Sequence, residues 1–211
     1  MLENKTIVVV IPCFNEELLI SRKVLETMPE TVDHVVVVDD KSTDNTVKEV
    51  KDSFLYKQGK VHLIEHEHNR GVGAAIASGY KWAAANEYDV AVVFAGDGQT
   101  HPNDFEFITM PVVKNQADYS KGNRLLNKNA FEDIPKSKLF GNIILSFLTK
   151  IASGYWAISD SQGGYAAINL KALKAINWDN LYSRYGQPND VLVKLNIESF
   201  RVVDVEQQPI Y

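Results

Sequence analysis

The chain has 211 residues, 45% hydrophobic and 23% charged, which suits one large domain with a sizeable core and excludes wholesale disorder. Its formal net charge of -5 argues against a protein built to coat nucleic acid, and no nucleic-acid partner is expected. The charge is uneven: residues 114–150 hold seven Lys/Arg against three Asp/Glu, a local +4 that suits phosphates or an anionic membrane surface.

Short β-branched runs at 6–11, 34–38, 61–64 and 90–94 read as buried strands of a parallel sheet. Between them, 16–28, 45–54 and 71–85 read as helices. The last is clearest, with Val72, Ala75, Ile76, Gly79, Tyr80 and Ala83 on one face. This alternation predicts an α/β domain with right-handed crossovers. The second half is less regular. Residues 136–151 form a strongly amphipathic helix candidate, 165–169 and 200–205 read as strands, and 191–197 reads as a helix. The apolar stripe of 136–151 has two readings. Packing into the core is the default, and lying on a bilayer with Lys136 and Lys138 at the headgroups is the other.

No stretch approaches the roughly 18 apolar residues of a membrane span, and Lys5 followed by a short β-branched run does not make a signal peptide. The single cysteine, Cys13, can make neither an internal disulfide nor a zinc cluster. A reducing, cytoplasmic location is expected.

Open α/β sheets bind ligands at the carboxyl ends of their strands. Three of the four early strand ends here carry adjacent acidic or amide groups. After the first, Pro12 ends the strand, Phe14 offers a flat face to a base, and Glu16 can accept from ribose or base. Asn15 and Glu16 would equally serve a helix start. After the second come the paired carboxylates Asp39 and Asp40, and a carboxylate can accept an imide N–H. Ser42 to Asn45 read as a helix cap. Gly71 and Gly73 open the third helix and let backbone approach a ligand closely. Gly79 comes too late for the dinucleotide pattern G-x-G-x-x-G, which disfavours a nicotinamide enzyme. After the fourth strand, Asp97, Gln99 and His101 in an extended segment would project to one side, around a divalent ion. The competing reading is an Asp-Gly turn.

Taken in order, "VVIPCFNEE", "VVVVDDKSTDNT", "NRGVGAAIASG", "FAGDGQTHP", "KGNR", "DSQGGYAAI" and "PNDVLVKL" resemble the family 2 glycosyltransferases of the GT-A fold. Within them they resemble the polyprenyl-phosphate sugar transferases of the dolichyl-phosphate mannose and glucose synthase type. The resemblance covers nearly the whole chain. It implies one GT-A domain over 1–211, with a Rossmann-like, mostly parallel sheet flanked by helices and a smaller mixed acceptor-side region. The nucleotide half is 1–100 and the acceptor half 101–211.

The resemblance implies an inverting transfer from a UDP- or GDP-sugar to a polyprenyl phosphate at the cytoplasmic membrane face, with Mg²⁺ or Mn²⁺. Nucleotide binding falls to Pro12, Phe14, Asn15, Glu16, Asp39, Asp40, Arg70, Gly71 and Asp97, with Asp40 on the base and Arg70 against base or diphosphate. The ion falls to Asp97 and Gln99. The family's usual Asp-x-Asp-x-Gln begins here with Ala95, one carboxylate fewer. Lys121 and Arg124 are placed near phosphate, with Arg124 as a catalytic residue that stabilises the departing diphosphate beside the ion on Asp97, and Asp160, Gln162 and Asn189 around the sugar. Asp190 occupies the place of a general base for a hydroxyl acceptor, or orients the sugar when the acceptor is an ionised phosphate. Transfer to a saccharide hydroxyl and an inactive nucleotide-binding module remain the alternatives. Relatives of this kind continue beyond the position of Tyr211 into membrane-associated segments, which leaves a short member or a truncated chain.

Overall fold

The computed structural model describes residues 1–98, 100–126, 146–156, 158, 160 and 163–208. Seven strands make one sheet: β1 (Ile7–Cys13), β2 (His34–Asp39), β3 (Val61–Glu65), β4 (Val90–Val93), β5 (Tyr119–Asn123), β6 (Ala166–Asn169) and β7 (Val202–Glu206). Their order is β3-β2-β1-β4-β6-β5-β7. Only β6 is reversed, antiparallel to both β4 and β5, while the other pairs are parallel.

The valine-rich strands are buried because both faces of the sheet are covered. Val8, Val10, Val36 and Val38 point to one side, against Ala75, Tyr80 and Ala83 of α3 (Val72–Ala85). Ile7, Val9, Ile11, Val35 and Val37 point to the other. There they meet Val50 of α1 (Thr46–Asp52) and, beyond the short α2 (Phe54–Lys57), Phe105, Ile108 and Val112 of α4 (Phe105–Val113). The period-2 alternation along each strand thus feeds two cores.

Three expectations are corrected. Residues 16–28 do not make a helix from Glu16: the chain turns first and then forms one wide π-helical turn over Ile20–Leu25, closed by Glu26 N–H to the Ser21 carbonyl at 2.9 Å. The 45–54 helix is cut at Ser53, whose extended ψ of 152° ends α1 and whose hydroxyl accepts from Tyr56 N–H of α2. The apolar stripe read as core points outward in the helix described over 146–153 (α5), where it overlaps the 136–151 candidate. Ser146, Thr149 and Ser153 are buried, while Phe147, Leu148 and Ile151 are more than half exposed at 55%, 55% and 59%. The earlier part of that candidate, with Lys136 and Lys138, lies outside the described residues. After β6 come α6 (Leu170–Ala175) and α7 (Gln187–Ile197).

Candidate active site

β1 has β2 on one side and β4 on the other, and the chain leaves their carboxyl ends in opposite directions. This is the place where open α/β sheets form a ligand crevice. A cavity of about 370 Å³ opens there. Pro12, Phe14, Glu16, Asp40, Gly71 and Asp97 line it, together with Asn69, Ala95, Gly96, Arg184 and Tyr185. Six of the residues singled out from the motifs therefore share one wall. A larger depression of about 740 Å³, between Thr27–Pro29 and α4, is lined by none of them.

Local chemistry explains the wall. The loop after β1 is tied to the loop after β2 by side-chain bonds to backbone. Asn15 N–H donates to Ser42 Oγ at 2.9 Å, Thr43 N–H to Asn15 Oδ1 at 2.8 Å and Glu16 N–H to Thr46 Oγ1 at 2.7 Å. Asn15, at φ 58°, thus braces two loops, and its side chain does not line the cavity. Asp44 accepts from Thr46 N–H at 2.9 Å in the turn ahead of α1, while Asn45 at the cap position makes no side-chain cap bond. Phe14 is left 46% exposed as a flat apolar face. Burial, then the carboxylates of Asp97 and Asp44, push the Glu16 carboxyl up.

Asp40 is buried and serves its own chain. Its Oδ1 accepts from Arg70 N–H at 2.8 Å and meets His66 Nδ1 at 2.7 Å, while Oδ2 accepts from Gly71 N–H at 2.7 Å. The ring of His66 reaches Ser78 Oγ on its other side. One Oδ2 lone pair remains for a donor from the cavity. Asp39 points away: Oδ2 accepts from Ser42 N–H at 3.0 Å, and Oδ1 is buried without a hydrogen-bond partner. The Arg70 side chain lines a separate recess of about 60 Å³ with Lys81 and Asp179, so only its backbone serves this site.

The segment after β4 is not extended. Gly98 takes φ 71°, Ala95 N–H donates to Thr100 Oγ1 at 3.0 Å, and His101 Nδ1 accepts from Asn103 N–H to cap the next turn. His101 therefore does not converge with Asp97, which corrects the extended reading. Gln99 lies outside the described residues. No three His, Cys, Asp or Glu side chains among the described residues could hold an ion together. The donor set available is Asp97 with Glu16 nearby. That set fits Mg²⁺ or Mn²⁺ when phosphate oxygens complete the shell, because Mg²⁺ is commonly held by one or two carboxylates and the substrate's phosphates.

The acceptor-half residues lie off the cavity lining, three of them in one network and two in separate pairs. Lys121 is completely buried, with its Nζ on the Asp160 backbone carbonyl. Burial pushes its pKa down, and it presents no charge to solvent. Arg124 grips the Asp160 carboxylate with Nε at 2.7 Å and Nη2 at 3.1 Å. Burial opposes ionisation of Asp160, but the Arg124 hydrogen bonds and the Lys121 charge outweigh it and hold its pKa down. Asn189 accepts from Thr149 Oγ1 at 3.2 Å, tying α7 to α5. Asp190 accepts from Tyr182 N–H at 2.9 Å. None of these five lines the 370 Å³ cavity, and Gln162 lies outside the described residues.

Motif reading missed Arg184 and Tyr185. Their only signal was that they stand just before "PND", on a segment held against α3. Gly71 and Gly73 leave room for that segment rather than for a ligand: a Cβ on either would stand 2.5 Å from the carbonyl oxygen of Ser183 or Tyr182.

A mostly parallel sheet with one reversed strand and a cavity at its switch point is the arrangement of the GT-A glycosyltransferases. A solved structure of glucosyl-3-phosphoglycerate synthase from Mycobacterium tuberculosis, with Mn²⁺, UDP and phosphoglyceric acid, superposes with a TM-score of 0.71 at 17% identity. It covers 96% of this chain and 69% of that one, and it supports the fold alone. The model of glycosyl transferase family 2 matches residues 8–176, and the chain belongs to that family. It is 32% identical to the UDP-N-acetylglucosamine–dolichyl-phosphate N-acetylglucosaminyltransferase of Methanococcus voltae, over 99% of this chain and 87% of that protein. It is 27% identical to the polyprenol monophosphomannose synthase of Mycolicibacterium smegmatis, over 93% and 74% of the two chains. It is a glycosyltransferase.

Proposed function

We propose that the chain moves a sugar, with inversion, from a UDP-sugar in the 370 Å³ cavity to a polyprenyl phosphate at the cytoplasmic face of a membrane. The observation that carries this reading is the convergence of Phe14, Glu16, Asp40 and Asp97 from three strand ends on one cavity of nucleotide size. The names of the Methanococcus voltae and Mycolicibacterium smegmatis relatives support a lipid-phosphate acceptor. The former also favours UDP over GDP.

In this reading Phe14 stacks on the base, the remaining Oδ2 lone pair of Asp40 accepts its imide N–H, and Glu16 accepts from the ribose. Asp97, with Gln99, would hold Mg²⁺ or Mn²⁺ against the diphosphate, where a divalent cation neutralises charge developing on the leaving group. An oxygen of the acceptor phosphate attacks the anomeric carbon from the face opposite the nucleotide. As that C–O bond forms, the bond from the anomeric carbon to the diphosphate breaks, and UDP leaves with the electron pair. The acceptor is already ionised, so no proton has to be removed. This agrees with an Asp190 whose carboxylate serves the Tyr182 backbone and does not line the cavity. The same observation disfavours a saccharide hydroxyl acceptor, which needs a base.

The outward apolar face of α5 supplies the membrane contact. Phe147, Leu148 and Ile151, with Trp156 at 63% exposure, would enter the headgroup boundary while Ser146, Thr149 and Ser153 face the protein. No helix among the described residues is long and apolar enough to cross a membrane.

The donor half of the proposal is tested by thermal unfolding against UDP and GDP, with and without Mn²⁺. A nucleotide at 100 times its dissociation constant adds about 2.7 kcal/mol of apparent stability. Stabilisation by UDP that requires Mn²⁺ is expected. No shift with either nucleotide would leave the fold without its usual ligand, as an inactive module would.

A further inference from the structure

A donor site built from strand ends alone has an acidic wall: Glu16, Asp40 and Asp97 line it, whereas a nucleoside diphosphate brings its own negative charge. Arg124 is committed to Asp160 and Arg70 faces another recess. Among the described residues lining the cavity, Arg184 is the single basic side chain. It is exposed and has no carboxylate partner among the described residues. Next to it, Tyr185 lines the same cavity with 86% of its surface exposed, as Phe14 does at 46%.

The position of the pair is built in. Ala74 N–H donates to the Ser183 carbonyl at 3.1 Å, Gln187 N–H to the Arg184 carbonyl at 3.0 Å, and Tyr182 N–H to Asp190. Gly71 and Gly73 are bare where this backbone passes. A loop fixed at both ends leaves two side chains projecting over the cavity.

Resting on the UDP-sugar reading, we propose that residues 181–186 are a donor strap contributed by the acceptor half. Arg184 holds the diphosphate through its guanidinium fork, and Tyr185 covers the nucleoside in the cavity that Phe14 also lines. A guanidinium fork matches phosphate oxygens bidentately, and an exposed ring that already lines a cavity gains burial only when a ligand fills it.

The test is calorimetric titration of the whole chain, in Mn²⁺, with uridine, UMP and UDP. Arg184→Gln should weaken UDP by about tenfold or more, the loss of one charge-assisted contact, and leave uridine unchanged. Arg184→Lys should fall between. Tyr185→Ala should weaken all three ligands by a similar factor, because the nucleoside is common to them. Unaltered UDP affinity in Arg184→Gln overturns the strap while leaving the donor reading intact. Failure of UDP to bind the unaltered protein overturns both.

Discussion

Asp40 closes the end of β2 by bonding to His66 and to the backbone of Arg70 and Gly71, so it builds the cavity before it can serve a ligand. Asp40→Ala should cost roughly 2 kcal/mol in urea unfolding, since two part-buried N–H groups and a buried imidazole lose their partner. UDP affinity should fall with it. Ala95 lies at the same cavity without a carboxylate. Ala95→Asp should lower the Mn²⁺ concentration that half-saturates UDP stabilisation, and an unchanged requirement would show that Ala95 is too far from the ion to matter. At this scale the motif residues were legible where the chain itself delivers them: a buried strand ending in Asp or Glu puts that group at the sheet edge. Lys121, Asp160 and Asp190 were less so, because their partners are fixed by which distant backbone and side-chain groups meet after folding. The bond from Lys121 to Asp160 spans 39 residues, and no local pattern announces it.

At the scale of elements, α5 is amphipathic in the reverse sense, and periodicity alone cannot say which face looks inward. The buried face is the polar one of Ser146, Thr149 and Ser153, and Thr149 meets Asn189 of α7. Phe147→Ser with Ile151→Ser should change unfolding stability by about 0.5 kcal/mol or less, as exposed positions do. Co-sedimentation with anionic vesicles should drop sharply. Equal sedimentation would remove the membrane role of this face. The sequence reading missed β5, α4 and α6, the first two for plain physical reasons. β5, Tyr-Ser-Lys-Gly-Asn, is polar throughout yet wholly buried between β6 and β7. α4 carries Pro111 inside it, a residue that ordinarily argues against a helix.

For the molecule as a whole, one sheet runs through both halves, because β6 of the second half pairs with β4 of the first. The donor cavity follows the same plan, with strand ends from one half and residues 184 and 185 from the other. The parallel half was legible because uninterrupted valine runs alternate with helices, whereas the reversed β6 and polar β5 depend on pairings between distant segments. Asp118 holds that far edge together. It accepts from Arg201 N–H at 2.9 Å, Arg201 Nε at 3.0 Å and Asn169 Nδ2 at 2.9 Å, joining β5 to the approaches of β6 and β7. Hydrogen bonds from Arg201 hold its carboxyl down at about 2, below the ordinary 3.8. A depressed carboxyl contributes stability above its ordinary value and loses it as pH falls towards the folded value. Asp118→Asn should therefore destabilise by about 1 kcal/mol near neutral pH, because solvent screens the half-exposed Arg201, with the difference shrinking between pH 3.8 and about 2.

The most direct test is transfer itself: labelled UDP-N-acetylglucosamine and GDP-mannose, each with polyprenyl phosphate in vesicles and Mn²⁺, followed by counting label in the lipid phase. The account predicts label from the UDP-sugar, dependent on the lipid phosphate and abolished by Asp97→Ala. Label from GDP-mannose alone would contradict the UDP assignment. No lipid label from either donor, with UDP bound, would contradict the polyprenyl phosphate acceptor.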